Sequence, residues 1–239
     1  VIDSKKTVVI IPTFNEIENV EAITRAIMNL NPSCDILFVD DHSPDGTAEK
    51  VKSFMSEFKQ RVFLEQRKTK LGLGTAYIHG FKWAITNNYD YVVEMDCDLS
   101  HNPNDLPRLL KACHEGYDLA IGSRYCKGGR IKNWPLNRIL MSYFASIYVR
   151  LILFIAIKDT TAGFKCYKTE VLRKINLDHI DFKGYAFQIC MKYATIKHGF
   201  KVKEVPITFV DRIHGESKMS TGIFKEAFFG VWKMKKMNL

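Results

Sequence analysis

An α/β domain built on a mostly parallel sheet is the fold class the sequence predicts, and three observations predict it. Apolar runs of strand length alternate with segments of helical periodicity through the first half of the chain. Several runs, such as Thr7 to Pro12 and Asp35 to Asp40, are apolar at successive positions, as strands covered on both faces are. Prolines, glycines and carboxylates gather where the runs end, and that edge of a parallel sheet is where ligands bind. The 239 residues, 46% hydrophobic and 26% charged, are ordinary for a soluble globular protein with a sizeable core. No internal repeat, low-complexity tract or long linker divides them, so residues 1–239 are expected to form one domain.

Taken in order, Thr7 to Pro12 is the first strand, closed by its proline. Asn15-Glu16 then open a helix to about Leu30, with Val20, Ile23, Ile27 and Leu30 at helical spacing. Asp35 to Asp40 is the second strand. Ser43, Pro44, Asp45 and Gly46 form a turn, and a helix runs from there to about Phe58. Val62 to Glu65 is a third strand. A glycine-bearing loop, Lys70 to Ala76, feeds a helix reaching about Asn87. Tyr91-Val92-Val93-Glu94 and the residues after it read as a buried strand ending in Asp96-Cys97-Asp98. A helix follows at Leu106 to His114, then a short strand, Leu119 to Ile121, ending in Gly122-Ser123-Arg124.

The second half is less regular. Ile139 to Ile157 is helical and strongly apolar, but Arg150 and several hydroxyls interrupt what would otherwise approach the length of a membrane span. A buried core helix and a helix lying in a membrane interface are both open readings. Tyr185 to His198 reads as a helix. Phe200 to Phe209 reads as a strand whose Pro206 places it at a sheet edge. A basic amphipathic segment, Phe224 to Met237, closes the chain.

Thirty-five basic against 26 acidic residues leave a formal charge of +9, which favours anionic partners: nucleotides, nucleic acid or an anionic membrane. Six cysteines without a Cys-X-X-Cys pair argue against a zinc site and a disulfide framework and make a reducing cytoplasm the expected compartment. No signal peptide is read at the polar start of the chain.

The acidic pair carries the most chemistry. In extended backbone, residues two apart point the same way, so Asp96 and Asp98 could present two hard oxygen ligands at one strand end. Two carboxylates with no base beside them suit a divalent cation that keeps positions open for phosphate oxygens. Alone, an Asp-X-Asp is as easily a solvated loop. Here Pro12, Asp41 and Arg124 are predicted at the same sheet edge.

These residues spell a known pattern. Ile11-Pro12-Thr13-Phe14-Asn15-Glu16, Val39-Asp40-Asp41, Asp45-Gly46-Thr47, the Gly72/Gly74 loop and Asp96-Cys97-Asp98 resemble the inverting family 2 glycosyltransferases. Gly122-Ser123-Arg124, Asp159 to Phe164, Gly184 to Gln188 and Gly215-Glu216-Ser217-Lys218 narrow the resemblance to the dolichyl and polyprenyl phosphate mannose synthases, over about residues 7 to 230. The resemblance implies a GT-A (Rossmann-like) three-layer sandwich. It implies that Pro12, Phe14 and Glu16 frame a guanine nucleotide with Val39 and Asp41 beside base and ribose. It also implies that Asp96, Asp98 and Ser100 hold Mg²⁺ or Mn²⁺ with Cys97 close by, and that Arg124, Arg212 and Lys218 neutralise phosphates. Lys183 is a further candidate for that task, and Asp98 and Arg124 are the candidate catalytic residues. Asp159 either caps the turn at Thr161-Ala162-Gly163 or acts near the sugar. Phe14 stands where many relatives have tyrosine, and Cys97 where alanine is commoner.

The reaction so implied moves mannose from GDP-mannose to a polyprenyl monophosphate; UDP-glucose is the alternative donor. A nucleotidyltransferase is disfavoured, because the Ile11 to Glu16 stretch is no glycine-rich phosphate loop, and the acidic cluster disfavours a nucleic-acid module. The lipid acceptor gives the helix near 136–157 and the tail near 222–239 a shared task at the cytoplasmic face of a membrane. The chain resembles the shorter class that meets the membrane peripherally, with small membrane-anchoring subunits as conceivable partners.

Overall fold

The computed structural model describes residues 6–212 and 221–237. The elements run β1 (Thr7–Thr13), α1 (Ile17–Met28), β2 (Asp35–Asp40), α2 (Thr47–Glu57), β3 (Val62–Gln66), α3 (Leu73–Thr86), β4 (Tyr91–Glu94), α4 (Leu106–His114), β5 (Leu119–Ser123), β6 (Arg130–Lys132), α5 (Leu136–Leu153), β7 (Lys165–Lys168), α6 (Thr169–Lys174), α7 (Tyr185–Lys197), β8 (Val202–Pro206), β9 (Thr208–Val210) and α8 (Thr221–Lys236).

Seven strands form one sheet in the order β3-β2-β1-β4-β7-β5-β8, while β6 and β9 pair separately. Only β7 runs antiparallel to its neighbours in the large sheet. Alternate residues of β1 serve opposite faces, as strand geometry requires. Val9 and Ile11 pack with Val20, Ile23 and Ile27 of α1, Phe54 of α2 and Leu109 of α4. Val8 and Ile10 pack with Tyr77 and Phe81 of α3, Leu172 of α6 and Phe187 and Met191 of α7. The sheet is therefore the middle of three layers. Gly74 permits the closest approach: a Cβ there would lie 2.2 Å from the Phe182 carbonyl oxygen.

The loop motifs turn out to hold one another. Asp45, in the turn before α2, accepts from the Ile17 N–H at 3.1 Å and thereby satisfies an otherwise unpartnered donor at the start of α1. The same carboxylate takes Thr47 N–H at 3.0 Å, and Thr47 Oγ1 in turn accepts from Glu16 N–H at 3.0 Å. Asp40 accepts from Thr13 Oγ1 at 2.9 Å and Ser43 N–H at 2.9 Å. Gly46, at φ +89°, supplies the left-handed residue the turn requires.

Four expectations are corrected. Phe200 to Phe209 is not one strand: it breaks at Pro206–Ile207, with β8 at the edge of the large sheet and β9 crossing to pair with β6. The apolar helix spans 136–153 instead of 139–157, stopping at Phe154 in the left-handed conformation. The strand before the acidic pair ends at Glu94, so Asp96 and Asp98 lie beyond it, with Asp98 in a turn and Leu99 after it at φ +58°. Finally, β6, β7 and α6 occupy segments read as irregular. The Gly215-Glu216-Ser217-Lys218 block, His214 and the chain's last two residues lie outside the described residues.

Candidate functional site

The carboxyl ends of β1, β2 and β4, with the loop entering β7, border a cavity of about 450 Å³. Of the predicted site residues, Pro12, Phe14, Glu16, Asp41, Asp96, Cys97, Asp98, Ser100, Arg124, Lys183 and Arg212 line it. Val39 does not. It is fully buried in the core against α3, because alternation along β2 turns it to the layer opposite the one Phe38 faces. Lys218 lies outside the described residues.

At one end of the cavity Phe14 is half-buried, with the Lys70 ammonium 4.0 Å from its ring centroid. Asp41 beside it is nearly buried and its Oδ1 is held by Arg67. Arg67 also donates to Thr75 Oγ1 at 2.8 Å and to the Gly72 carbonyl at 3.3 Å, tying the glycine loop to the end of β2. Sequence reasoning missed Arg67. It stands two residues past a predicted strand end, and that position was the available signal. Lys183 is exposed; its stem lies 3.2 Å from where a Gly72 Cβ would stand.

In the middle lie the two aspartates. Asp96 accepts from Tyr77 Oη at 3.4 Å, and its Oδ2 is 3.8 Å from His101 Nδ1. Burial raises its pKa above the ordinary carboxylate value; His101 and Arg212 pull the other way, while Asp98 and Glu94 add to the rise. Asp98 is 7% exposed, accepts from Ser100 N–H at 3.1 Å, and pairs through Oδ2 with Arg212 Nη2 at 3.2 Å. Ser100 Oγ is buried and makes no hydrogen bond among the described residues. Two carboxylates and a buried hydroxyl in one loop fit a hard divalent cation, whose remaining positions phosphate oxygens and water would fill. Among the described residues no cluster of three or more His, Cys, Asp or Glu offers a complete protein cage. Cys97 packs its side chain into the core under α4, and none of the six cysteines is in a disulfide.

Arg124 forms the far wall, 8% exposed. Its Nε and Nη2 are clamped by Asp159 at 2.8 and 2.6 Å, and Nη2 also donates to Thr161 Oγ1 at 2.9 Å. Nη1 alone makes no hydrogen bond among the described residues. Burial works to raise the Asp159 pKa, but the Arg124 charge and hydrogen bonds outweigh it and hold the carboxyl below its ordinary value. Asp159 is thus neither a simple turn cap nor a cavity residue: it orients Arg124. His101, also in the cavity wall, is buried and stacks on Phe164 at 5.2 Å. His42 is exposed in its loop.

A second cavity, of about 490 Å³, opens between α5 and α8 and shares Trp134, Arg138, Thr161 and Tyr185 with the first. Its other walls are largely apolar and include Met141, Phe144, Val149, Ile189 and Phe228. Arg138 stands at the junction, 3.9 Å from the Trp134 ring centroid and 3.2 Å from Asp211 Oδ2. Neither Trp134 nor Arg138 was singled out from the sequence: Trp134 precedes the apolar helix, and Arg138, in its first turn, belongs to no motif.

Comparison with known proteins gives four findings. A family model described as glycosyl transferase family 2 matches residues 8–176. A polyprenol monophosphomannose synthase of Mycolicibacterium smegmatis is 47% identical over 228 residues, covering 95% of this chain and 86% of that protein. An undecaprenyl-phosphate mannosyltransferase of Micrococcus luteus is 46% identical over 226 residues, covering 95% and 92%. Among crystal structures, glucosyl-3-phosphoglycerate synthase from Mycobacterium tuberculosis in complex with Mn²⁺, uridine diphosphate and glucosyl-3-phosphoglycerate aligns with a TM-score of 0.72. The alignment covers 99% of this chain and 82% of that one, at 16% identity, so the likeness is one of fold.

Proposed function

From the premise that this chain belongs to glycosyl transferase family 2, we propose that it transfers mannose from GDP-mannose to a polyprenyl monophosphate, inverting the anomeric carbon. It is a glycosyltransferase of GT-A fold. The observation that carries the acceptor assignment is the junction of the two cavities. The chamber whose wall carries the charged groups of Asp96, Asp98 and Arg124 shares Arg138, Trp134, Thr161 and Tyr185 with an apolar groove. A lipid phosphate needs both, a charged seat for its head and a water-poor trough for its tail. The printed names of the two relatives point to the same acceptor class.

In this reading Pro12, Phe14, Glu16 and Asp41 receive the nucleoside, with Phe14 offering a flat apolar face. Asp96, Asp98 and Ser100 would hold Mg²⁺ or Mn²⁺, which when bound offsets charge developing on the departing GDP. The attacking group is a phosphate oxygen already ionised near neutral pH, with a second pKa of about 6. Strong general-base catalysis is therefore unnecessary. That agrees with His101, the imidazole in the cavity wall, being stacked on Phe164. Arg138, held by Asp211 and Trp134, and Nη1 of Arg124 are cations that would meet the acceptor phosphate at this junction. Preorganised cations cost no reorganisation at the moment of reaction. Incubating the protein with radiolabelled GDP-mannose, a short polyprenyl phosphate and Mn²⁺ or Mg²⁺ is expected to yield a mannosylated lipid with inverted configuration. Preferential use of UDP-glucose in direct competition would replace the donor assignment.

The same reading places α5 and α8 on a membrane. By length and composition alone α5 could cross one, yet it packs along α8, where Tyr148 stacks on Phe228 at 4.8 Å and accepts from Trp232 Nε1 at 2.9 Å. Leu136, Phe144, Leu151, Phe154 and Phe229, on or beside these two helices, remain more than 60% exposed. Lys233, Lys235 and Lys236 stand in the last turn of α8. An interfacial pair of helices with basic flanks binds anionic bilayers. In flotation with anionic vesicles the protein is expected in the lipid fraction, and Phe144→Asp with Phe229→Asp is expected to leave it at the bottom. Wild-type protein that stays at the bottom defeats the peripheral assignment.

A further inference from the structure

Two lysines are fully buried behind the cavity wall, and they are solved differently. Lys165 pairs with Glu94 at 3.0 Å across β7 and β4. Lys192, on α7, has no carboxylate within ion-pair distance among the described residues. Its ammonium donates instead to the carbonyls of Ala162 at 2.7 Å, Thr160 at 2.9 Å and Gln188 at 3.2 Å. Neutral carbonyls offset the desolvation of an ammonium only in part. Burial accordingly lowers its pKa well below the usual lysine value; the charges of Lys165 and Arg124 act in the same direction, and those of Asp159 and Glu94 oppose it. A residue this costly calls for a task.

The task follows from peptide geometry. A trans peptide unit is planar, so its C=O and N–H point in opposite directions. The carbonyls of Thr160 and Ala162 face Lys192. The N–H groups of Thr161 and Gly163, which belong to the same two peptide units, therefore face away from it, on the side where Thr161, Ala162 and Gly163 line the cavity. Neither N–H donates to an acceptor among the described residues. Thr161 Oγ1 holds Arg124 Nη2 at 2.9 Å, and a Cβ on Gly163 would lie 3.8 Å from Asp96 Oδ2. The two donors thus lie between Arg124 and the acidic pair.

We propose that Lys192 is a positioning residue that turns the Thr161 and Gly163 N–H groups into the cavity as a donor pair for an oxygen of the transferred hexose. The inference rests on the glycosyl-transfer reading, since a donor whose diphosphate reaches the aspartates leaves its sugar on the Arg124 side. Backbone donors held rigidly toward developing charge or a reacting sugar are strong because they need not reorganise.

The test compares the wild type with Lys192→Met, Lys192→Gln and Gly163→Ala. GDP binding is measured by calorimetry, and KM and kcat are measured with GDP-mannose. Lys192→Met is expected to bind GDP within about threefold of wild type while kcat falls on the order of 10²-fold. Lys192→Gln, whose amide can still reach one carbonyl, is expected to recover part of that loss. Gly163→Ala meets nothing in the protein closer than 3.7 Å, so it folds, and its methyl is expected to lower kcat by crowding the sugar. A Lys192→Met enzyme with wild-type kcat overturns the proposal, as does a GDP affinity that falls in step with kcat, which marks a general structural role. Should Lys192→Met not fold, a fully active Gly163→Ala enzyme overturns it as well. A wild-type protein that transfers no mannose speaks against the functional reading itself, whereas a loss confined to the variants concerns the donor pair alone.

Discussion

Asp98→Ala is expected to lower mannosyl transfer by about 10²-fold or more, with little change in the melting temperature. The reasoning is local. Asp98 sits in a turn outside any regular element, and its described partners are the Ser100 N–H and Arg212, itself 26% exposed. Removing the carboxylate breaks no core packing, so the fold should persist. It does halve the acidic pair, which leaves Asp96 as the remaining carboxylate for a cation and removes the Asp98–Arg212 contact. Metal affinity supplies a readout separate from turnover: Mn²⁺ binding followed by electron paramagnetic resonance should weaken in Asp98→Ala and much less in His42→Ala, whose side chain is exposed. Wild-type turnover by Asp98→Ala in metal-free buffer would falsify the assignment of the cation seat.

Asp159→Ala is expected to be the most damaging single change to stability. Asp159 is fully buried and makes charged hydrogen bonds to Arg124 through its backbone N–H, Nε and Nη2, at 2.9, 2.8 and 2.6 Å. Truncating one member of a buried ion pair leaves the other charge desolvated and unpaired, at a cost of about 3–5 kcal/mol. Chemical denaturation measures that cost, and an unchanged midpoint would show the pair to be dispensable. The pH dependence has a definite sign. The Asp159 pKa is lower in the folded protein than in the unfolded chain, so its contribution is fully present above the unfolded value, about 3.9. It is lost as pH falls through the folded value. Acid unfolding of the wild type should therefore carry this ionisation, and Asp159→Asn should flatten stability below about pH 4.

Most of the fold was legible because apolar runs and turn residues agree in the first half. β1, β2, β3, β5 and the helices between them fall where periodicity places them, and Pro206 marks an edge strand because a central one needs its N–H. β7 was not legible. Its sequence, Lys-Cys-Tyr-Lys, reads as half-solvated, yet Lys165 is buried because Glu94 stands directly across from it in the neighbouring strand. Such a pair forms only through register, which sequence spacing does not reveal. The same holds at the cavity. Each acidic residue could be named from its motif, but not the partner that governs it. Arg67 holds Asp41 from 26 residues away and Asp159 holds Arg124 from 35. Val39 was misplaced for the converse reason: its motif neighbours reach the cavity, while strand alternation turns it into the core.

The order of the large sheet also governs when the protein can become whole. β1 to β4 find one another among residues 7–94, but β5 has only β7 and β8 as neighbours, both made later. During synthesis the strand at residues 119–123 thus waits for residues 165–168 and 202–206, and the two halves of the sheet meet along the β4–β7 seam. Pairings of such sequence separation are slow, and an unpaired apolar strand invites association meanwhile. The acidic pair comes from one side of that seam, and Asp159, Lys192 and Arg124 from the other. A nucleotide sugar that touches both sides binds only the closed chain and so draws the last assembly step toward completion.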